Sequence, residues 1–243
     1  MASLSLRHLG KTYDNGFRAI RDFNLEIKDK ELIIFAGPAS CGVSTVLRMI
    51  AGLEEITEGE LFIDEEKVNQ IDSRERNIAM IFPNGKLYPQ MSVYENLAFG
   101  LKLQEVPEDE IQQRIEEAAQ VLNIKEMLEK KTEELSEMEA AVVAVGRAIV
   151  RKPKVILLDD PFANLSMEVK KYMQKLICRL HETMRITAIY VTHDREDLLN
   201  MDARIVVMND GTLQQVGTVR ELCDHPSTPY VSAFFGQDPI LVH

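Results

Sequence analysis

No long run of lysines and arginines interrupts this 243-residue sequence, and its formal net charge is −11. Nucleic acid and anionic lipid are therefore poor primary partners, because binding to either depends on neutralising phosphate charge. Cysteine is scarce and scattered, at Cys41, Cys178 and Cys223. That spacing excludes a disulfide framework and a cysteine-rich metal site, and it fits a reducing, cytoplasmic setting. The stretch from Met1 to His8 lacks the charged start and apolar segment of a secretory leader. The longest uninterrupted apolar tract, around Ala140–Val145, is far short of a membrane span. Any membrane association is thus expected to run through a protein partner. Apolar residues still make up 45% of the chain, which excludes global disorder and supports one large domain or a domain with an inserted subdomain.

Residues 37–45 read Gly-Pro-Ala-Ser-Cys-Gly-Val-Ser-Thr. Gly37, Gly42, Ser44 and Thr45 occupy the fixed positions of a phosphate-binding loop, G-x-x-x-x-G-K-[ST], and Val43 stands where the lysine belongs. In such a loop backbone N–H groups and the following helix N-terminus hold the phosphates, and the lysine reaches the outer two. The chain keeps the loop and lacks the charge.

Alternation of apolar and polar residues predicts half-buried antiparallel strands over Leu4–Leu9 and Phe23–Ile27. Glu31–Ala36 reads as a short strand feeding the loop and Ser44–Ala51 as the helix after it, which is the context the motif requires. Further strands are predicted at Glu60–Ile63, Ile78–Phe82, Lys154–Leu158, Thr187–Val191 and Arg204–Met208, with a hairpin turn at Asn209-Asp210-Gly211. Pro107 opens a helix with Ile111, Ile115, Ala118 and Leu122 on one face, and a second helix runs from about Ser136 to Val150. Strands alternating with helices predict an α/β fold with a mainly parallel sheet. Residues 84–152 carry helical signals only, so the chain is expected to be one domain, with 1–83 and 153–243 as its α/β core and 84–152 as a helical insertion.

Taken in order, these motifs resemble the nucleotide-binding subunit of an ATP-binding-cassette (ABC) transporter of the carbohydrate-importer branch, over about Leu4 to Gly236. The matching segments are Tyr13, the phosphate loop with Leu47 to Glu54 after it, Leu87-Tyr88-Pro89 with Met91-Ser92-Val93 and Glu95-Asn96, Leu135-Ser136 with Gly146 to Ile149, Leu157-Leu158-Asp159, and Tyr190 to Asp194. The resemblance implies a P-loop NTPase fold of ABC type, with an N-terminal antiparallel β part and a helical subdomain. It implies ATP and Mg as cofactors. Tyr13, Gly37, Ser40, Cys41, Gly42, Val43, Ser44, Thr45 and Ser136 fall on its nucleotide-binding positions, Ser44 and Asp159 on its metal positions, and Asp160 and His193 on its catalytic pair. It also implies permease subunits docking around Leu87–Asn96, a second ABC subunit completing a dimer, and a peripheral place on the inner face of the cell membrane.

The departures from the family pattern lie on the chemistry. Ser40 replaces a glycine, Val43 the lysine and Pro83 the glutamine that contacts metal and water. Glu137, Met138 and Glu139 replace Gly-Gly-Gln of the signature, Asp160 the glutamate and Ser166 the aspartate of the loop that crosses to the partner. By itself Ser136-Glu137-Met138-Glu139 is a capping box. Two subunits of this family sandwich two nucleotides, each site joining one chain's phosphate loop to the other's signature. With any partner, then, one site would hold Val43, Pro83 and Asp160 and the other Glu137 and Glu139. The expected function is an importer subunit with impaired or absent ATP hydrolysis. Two alternatives stay open: a slow but active Mg-ATPase, and a regulatory or scaffold protein on the same fold.

Overall fold

The computed structural model describes residues 2–83 and 85–235. Two sheets face each other across a helix. The first is antiparallel, with β1 (Leu4–Thr12) at its centre and β2 (Arg18–Ile27) and β4 (Glu58–Ile63) on either side. Leu6 stands opposite Leu25 on one flank and Leu61 on the other. The short β5 (Glu66–Lys67) completes the order β2-β1-β4-β5.

The second sheet holds β3 (Leu32–Ala36), β6 (Ile78–Ile81), β7 (Val155–Asp159), β8 (Thr187–Thr192), β9 (Arg204–Asn209) and β10 (Thr212–Gly217), in the order β10-β9-β3-β8-β7-β6. All pairings are parallel except the β9–β10 hairpin. Its central strands are continuous apolar runs because both faces are covered. In β3, Ile33 and Phe35 face the antiparallel sheet and α1 (Val43–Ala51), while Ile34 and Ala36 face the helices of the opposite layer. The anticipated α/β class, the N-terminal antiparallel part and the helical stretch are all present.

Between β6 and β7 lie α2 (Val93–Leu103), α3 (Glu108–Leu122) and α4 (Glu137–Ile149), with short 3₁₀ turns and no strand among the described residues. This helical stretch has no core of its own. Val93, Leu97, Ile115 and Val142 belong to the same apolar cluster as Ile34, Ala79 and Tyr190 of the sheet. Pro107 turns out to be the N-cap of α3 rather than its first helical residue, since its ψ of 143° is extended. Beyond the anticipated elements come α5 (Met167–Met184), α6 (Arg195–Asn200), α7 (Val219–Asp224) and α8 (Pro229–Phe235). The stripe Met173, Leu176, Ile177 and Leu180 buries α5 against the sheet layer at ordinary helical spacing. No helix among the described residues is long and apolar enough to cross a membrane.

Candidate functional site: the edge of the sheet around the α1 N-terminus

Parallel register brings distant segments together. Ala36 pairs with Thr192 and Asp159 with Val191, so β3, β8 and β7 end side by side. The residues that leave those ends are Gly37, His193 and Asp160. Ligands of open α/β sheets characteristically bind in the crevice outside such strand ends.

The turn from β3 into α1 is built around glycine. A Cβ on Gly37 would lie 2.4 Å from the Met208 carbonyl oxygen, and one on Gly42 would lie 2.6 Å from Ile20 Cδ1, where φ is also +103°. At Gly37 a side chain would collide with the β9 backbone, and at Gly42 the positive φ strains any other residue. Ser40 adopts φ +69° and its hydroxyl donates to the Ala39 carbonyl. A left-handed serine costs on the order of 1 kcal/mol that glycine would not. Cys41 points inward, 1% exposed, and burial pushes its thiol above the usual cysteine range. It fills space behind the loop, and its carbonyl accepts the Gly211 N–H at 2.9 Å, tying the loop to the β9–β10 turn.

The two helix starts that the sequence picked out differ in a decisive way. No side chain caps α1 and no acidic residue of its own stands in its first turn, so its backbone N–H groups have no capping partner from the helix itself. At α4 the Ser136 hydroxyl accepts the Glu139 N–H at 3.3 Å, and the Glu139 carboxylate accepts the Ser136 N–H at 2.8 Å. Hydrogen bonds from the Ser136 N–H and hydroxyl, with Lys130 3.2 Å away, hold the Glu139 carboxyl down to about 2. Glu137 takes a further hydrogen bond from Ser166 at 3.2 Å. An anion is invited by α1 and repelled by α4.

A cavity of about 310 Å³ opens over the α1 start. Tyr13, Phe17 and Ala19 form one wall, Ser40 with Gly42 to Thr45 the floor and His193 the far side. The Tyr13 and Phe17 rings are stacked at 13° with centroids 6.5 Å apart. Phe17 was missed from the sequence, and its 59% exposure is the signal that the folded chain adds. Lys11 lies with its ammonium 5.0 Å from the Tyr13 ring centroid, but it is paired with Glu54 at 3.2 Å. Among the described residues no lysine or arginine lines the cavity. Val43 is 2% exposed, and its side chain joins the apolar cluster between the sheets.

Beside the cavity, Ser44 Oγ donates to Asp159 Oδ1 at 2.7 Å. Burial pushes the Asp160 carboxyl above the ordinary aspartate range, with the charges of His193 and Lys170 opposing. His193 Nδ1 lies 2.9 Å from the Gly37 carbonyl oxygen, which can only accept, so Nδ1 carries hydrogen and Nε2 is left for other partners. The loop bearing His193 is fixed from beneath. Lys170 Nζ meets Asp194 at 2.7 Å and Asp197 at 3.0 Å, and the Thr192 hydroxyl bonds Asp197.

Among the described residues no group of three or more His, Cys, Asp or Glu side chains converges on a metal position. Ser44 and Asp159 suit magnesium, which takes one or two protein oxygens and completes its shell with water and substrate phosphates.

Ser136, Asn96 and Pro83, which the sequence singled out, lie elsewhere. Ser136 is not among the residues lining this cavity, because it caps α4 in the helical stretch. Asn96, expected on an outer surface, is 1% exposed, and its side chain holds the Tyr88 backbone N–H at 2.8 Å and the Ser92 carbonyl at 3.0 Å. Its role is to shape the segment before α2. Pro83 is exposed, next to a Gly85 N–H to Phe82 carbonyl bond of 3.2 Å, and is not among the residues lining the cavity.

This arrangement was compared with known proteins. The family model described as "ABC transporter" matches residues 20–163. This chain belongs to the ABC transporter family. The cassette is 48% identical over 236 residues to the oligosaccharides import ATP-binding protein MsmX of Bacillus subtilis, covering 97% of this chain and 65% of that protein. It is 45% identical over 240 residues to the sn-glycerol-3-phosphate import ATP-binding protein UgpC of Bordetella avium, covering 99% and 66%. The chain therefore spans slightly less than two thirds of those relatives. Among solved structures it resembles cbiO1 of Clostridium perfringens, part of the transporter complex cbiONQ, with TM-score 0.81, 26% identity and coverage of 96% and 90%. It also resembles the dimeric cassette MJ0796 in a post-hydrolysis state bound to ADP and phosphate, with TM-score 0.75, 28% identity and coverage of 88% and 98%.

Proposed function

We propose that this cassette is the ATP-binding subunit of an importer for a carbohydrate or similar solute, and that its own ATP turnover is strongly reduced. The carrying observation is the contrast between its two helix starts: α1 opens uncapped onto a cavity walled by Tyr13 and Phe17, while α4 is closed by Glu139. The names of the relatives support the importer assignment and ATP binding. Tyr13 and Phe17 would take the base, the backbone from Gly42 to Thr45 the phosphates, and Ser44 with Asp159 a magnesium ion. That ion would supply charge neutralisation on the phosphates.

The reduction in turnover follows from the side chains. Without a lysine at Val43 a charge-assisted contact worth about 1.5–3 kcal/mol is gone, or roughly ten- to a hundred-fold in affinity. The loss in the transition state is larger, since phosphoryl transfer is catalysed mainly by electrostatic stabilisation. Asp160 is one methylene shorter than the glutamate of the family, and a retraction of about 1 Å costs on the order of a hundred-fold in rate.

The second reading is a slow but working Mg-ATPase, and the names of the relatives favour it over a fully silent site. The Ser44–Asp159 bond and the placing of Asp160 and His193 at neighbouring strand ends also support it. Calorimetry with Mg-ATP followed by phosphate release on the same sample decides between them. Binding without release supports the first reading, and steady release that vanishes in Asp160→Asn establishes the second. Absence of binding up to millimolar ATP would overturn both.

Permease docking is proposed for the exposed part of the Leu87–Asn96 stretch and the residue before it, namely Lys86, Pro89, Gln90 and Glu95. Glu95 is a poor test site, because its carboxylate caps Ser92 at 2.6 Å and pairs with Lys131 at 3.4 Å. Lys86→Glu should weaken copurification with permease subunits, which would hold this cassette and a second one at the inner face of the membrane.

A further inference from the structure

A second cavity, of about 450 Å³, lies between α4 and the segment that leaves β7. That volume falls in the range of small-molecule pockets, which are mostly apolar with a few placed polar groups. The space exists because one face of α4 is nearly bare. Beyond Glu137 that face carries only the methyl groups of Ala140, Ala141 and Ala144, all three partly exposed. Ile81, Leu87, Phe162 and Leu165 supply further apolar wall. Phe162 is 2% exposed and its ring lies 6.3 Å from that of Tyr190, so its part of the wall is fixed. The charges around the cavity are not balanced. Glu133 and Glu137 line it, both exposed, and among the described residues Lys86 is the one cation that does. Glu137 is steadied by the Ser166 hydroxyl at 3.2 Å. The wider field has the same sign, since residues 104–139 carry twelve Asp and Glu against four Lys and Arg. Such a surface raises the local concentration of cations.

We propose that this cavity is a ligand site separate from the one over α1, and that it takes a drug-sized apolar organic cation. The alanine face, Phe162 and Leu165 bury its rings or short chains, and Glu133 and Glu137 offer the counter-charge. An anion of the same shape meets two carboxylates, and a small hydrated cation gains nothing from the apolar walls. A molecule seated here touches both α4 and the 161–165 segment, beside the Glu137–Ser166 bond that joins them. Nothing in this recognition requires a nucleotide at α1, so the two sites stand or fall separately.

The test is titration of the purified chain with tetraphenylphosphonium, followed by calorimetry and by the methyl NMR signals of Ile81, Leu87, Ala141 and Leu165. Those signals should shift together and saturate. Ala141→Leu, which fills the space, should weaken binding about ten-fold or more. Glu133→Gln with Glu137→Gln should weaken it about three- to ten-fold, the effect of two exposed charges. Glu116→Gln with Glu126→Gln makes the same change in net charge away from the cavity lining, and should move the affinity less than about two-fold. Tetraphenylborate, the same shape with the opposite charge, should leave the four methyl signals unmoved. Absence of saturable phosphonium binding, or shifts confined to other methyls, would overturn the site. So would an equal loss from the Glu116 and Glu126 pair, because the attraction would then belong to the charge of the whole chain. A dimer that Ala141→Leu dissolves and the phosphonium leaves intact would assign the cavity to a second copy instead, and methyl signals that answer only to permease subunits would assign it to a polypeptide. The methyl shifts of the unaltered chain carry the test should Ala141→Leu fail to fold.

Discussion

Ser44 and Asp159, 115 residues apart in sequence, are joined by a 2.7 Å hydrogen bond from the first turn of α1 to the last residue of β7. Asp159 is 2% exposed, so its carboxylate depends on this side-chain donor rather than on solvent. Ser44→Ala should therefore leave a buried acceptor unsatisfied and cost about 1–3 kcal/mol, read as a lowered urea midpoint with unchanged m-value. The same variant should lose the effect of MgCl₂ on nucleotide affinity. A variant as stable as the parent with an intact magnesium effect would show that the pair is incidental.

Lys170 makes a stronger demand on its surroundings. It is 7% exposed, and although burial works against its charge, Asp194 and Asp197 hold its ammonium above the ordinary lysine range. Lys170→Met should cost about 3–5 kcal/mol, because the charge of the buried Asp197 carboxylate loses its ion-pair partner and keeps only hydrogen bonds from Gln174 and Thr192. Adding Asp197→Asn should recover part of that loss. The sign of the pH dependence follows from the raised value. The contribution is complete below the ordinary lysine range and is lost only as pH rises through the raised one, so melts at pH 7 and 9 should show the same penalty.

The cap of α4 responds to acid instead. Ser136→Ala should cost about 1 kcal/mol by urea melt. The Glu139 carboxyl lies at about 2, below the ordinary glutamate range. A depressed value means that its contribution is present above that range and fades as pH falls toward 2. Glu139→Gln should flatten the acid limb of the stability profile there, while the parent and variant differ by a constant amount between pH 6 and 8.

How much of this was legible in the sequence depended on distance along the chain. The Ser136–Glu139 box was readable because its partners are three residues apart and need only a helix between them. The loop glycines were readable because a tight turn restricts which residues can occupy it. Phe17 was not, since its place beside Tyr13 comes from the turn between them, closed by Tyr13 N–H to the Phe17 carbonyl at 2.9 Å. Nor was Lys170 with Asp197, whose meeting depends on how α5 docks beneath β8. Asn96 was read as surface and proved internal, because an asparagine one turn into a helix can serve either solvent or the preceding loop.

The two helix starts also make a prediction about repair. If turnover is limited in both composite sites, restoring one set of residues cannot restore the other. Val43→Lys should tighten nucleotide binding yet leave phosphate release far below that of an intact cassette, since Glu139 would still close α4 and Glu137 would still be bonded to Ser166. Changing Glu137 and Met138 to glycine and Glu139 to glutamine should by itself do little for release, because the phosphate loop would still lack its charge. It should also lower stability, because each glycine placed in the first turn of α4 costs about 1 kcal/mol, whereas glutamine keeps an oxygen that can accept the Ser136 N–H. Combined, the four substitutions should raise phosphate release by more than the product of the separate gains, which is the signature of groups acting on one transition state. Near-normal turnover from Val43→Lys alone would show that the α4 carboxylates do not obstruct the site.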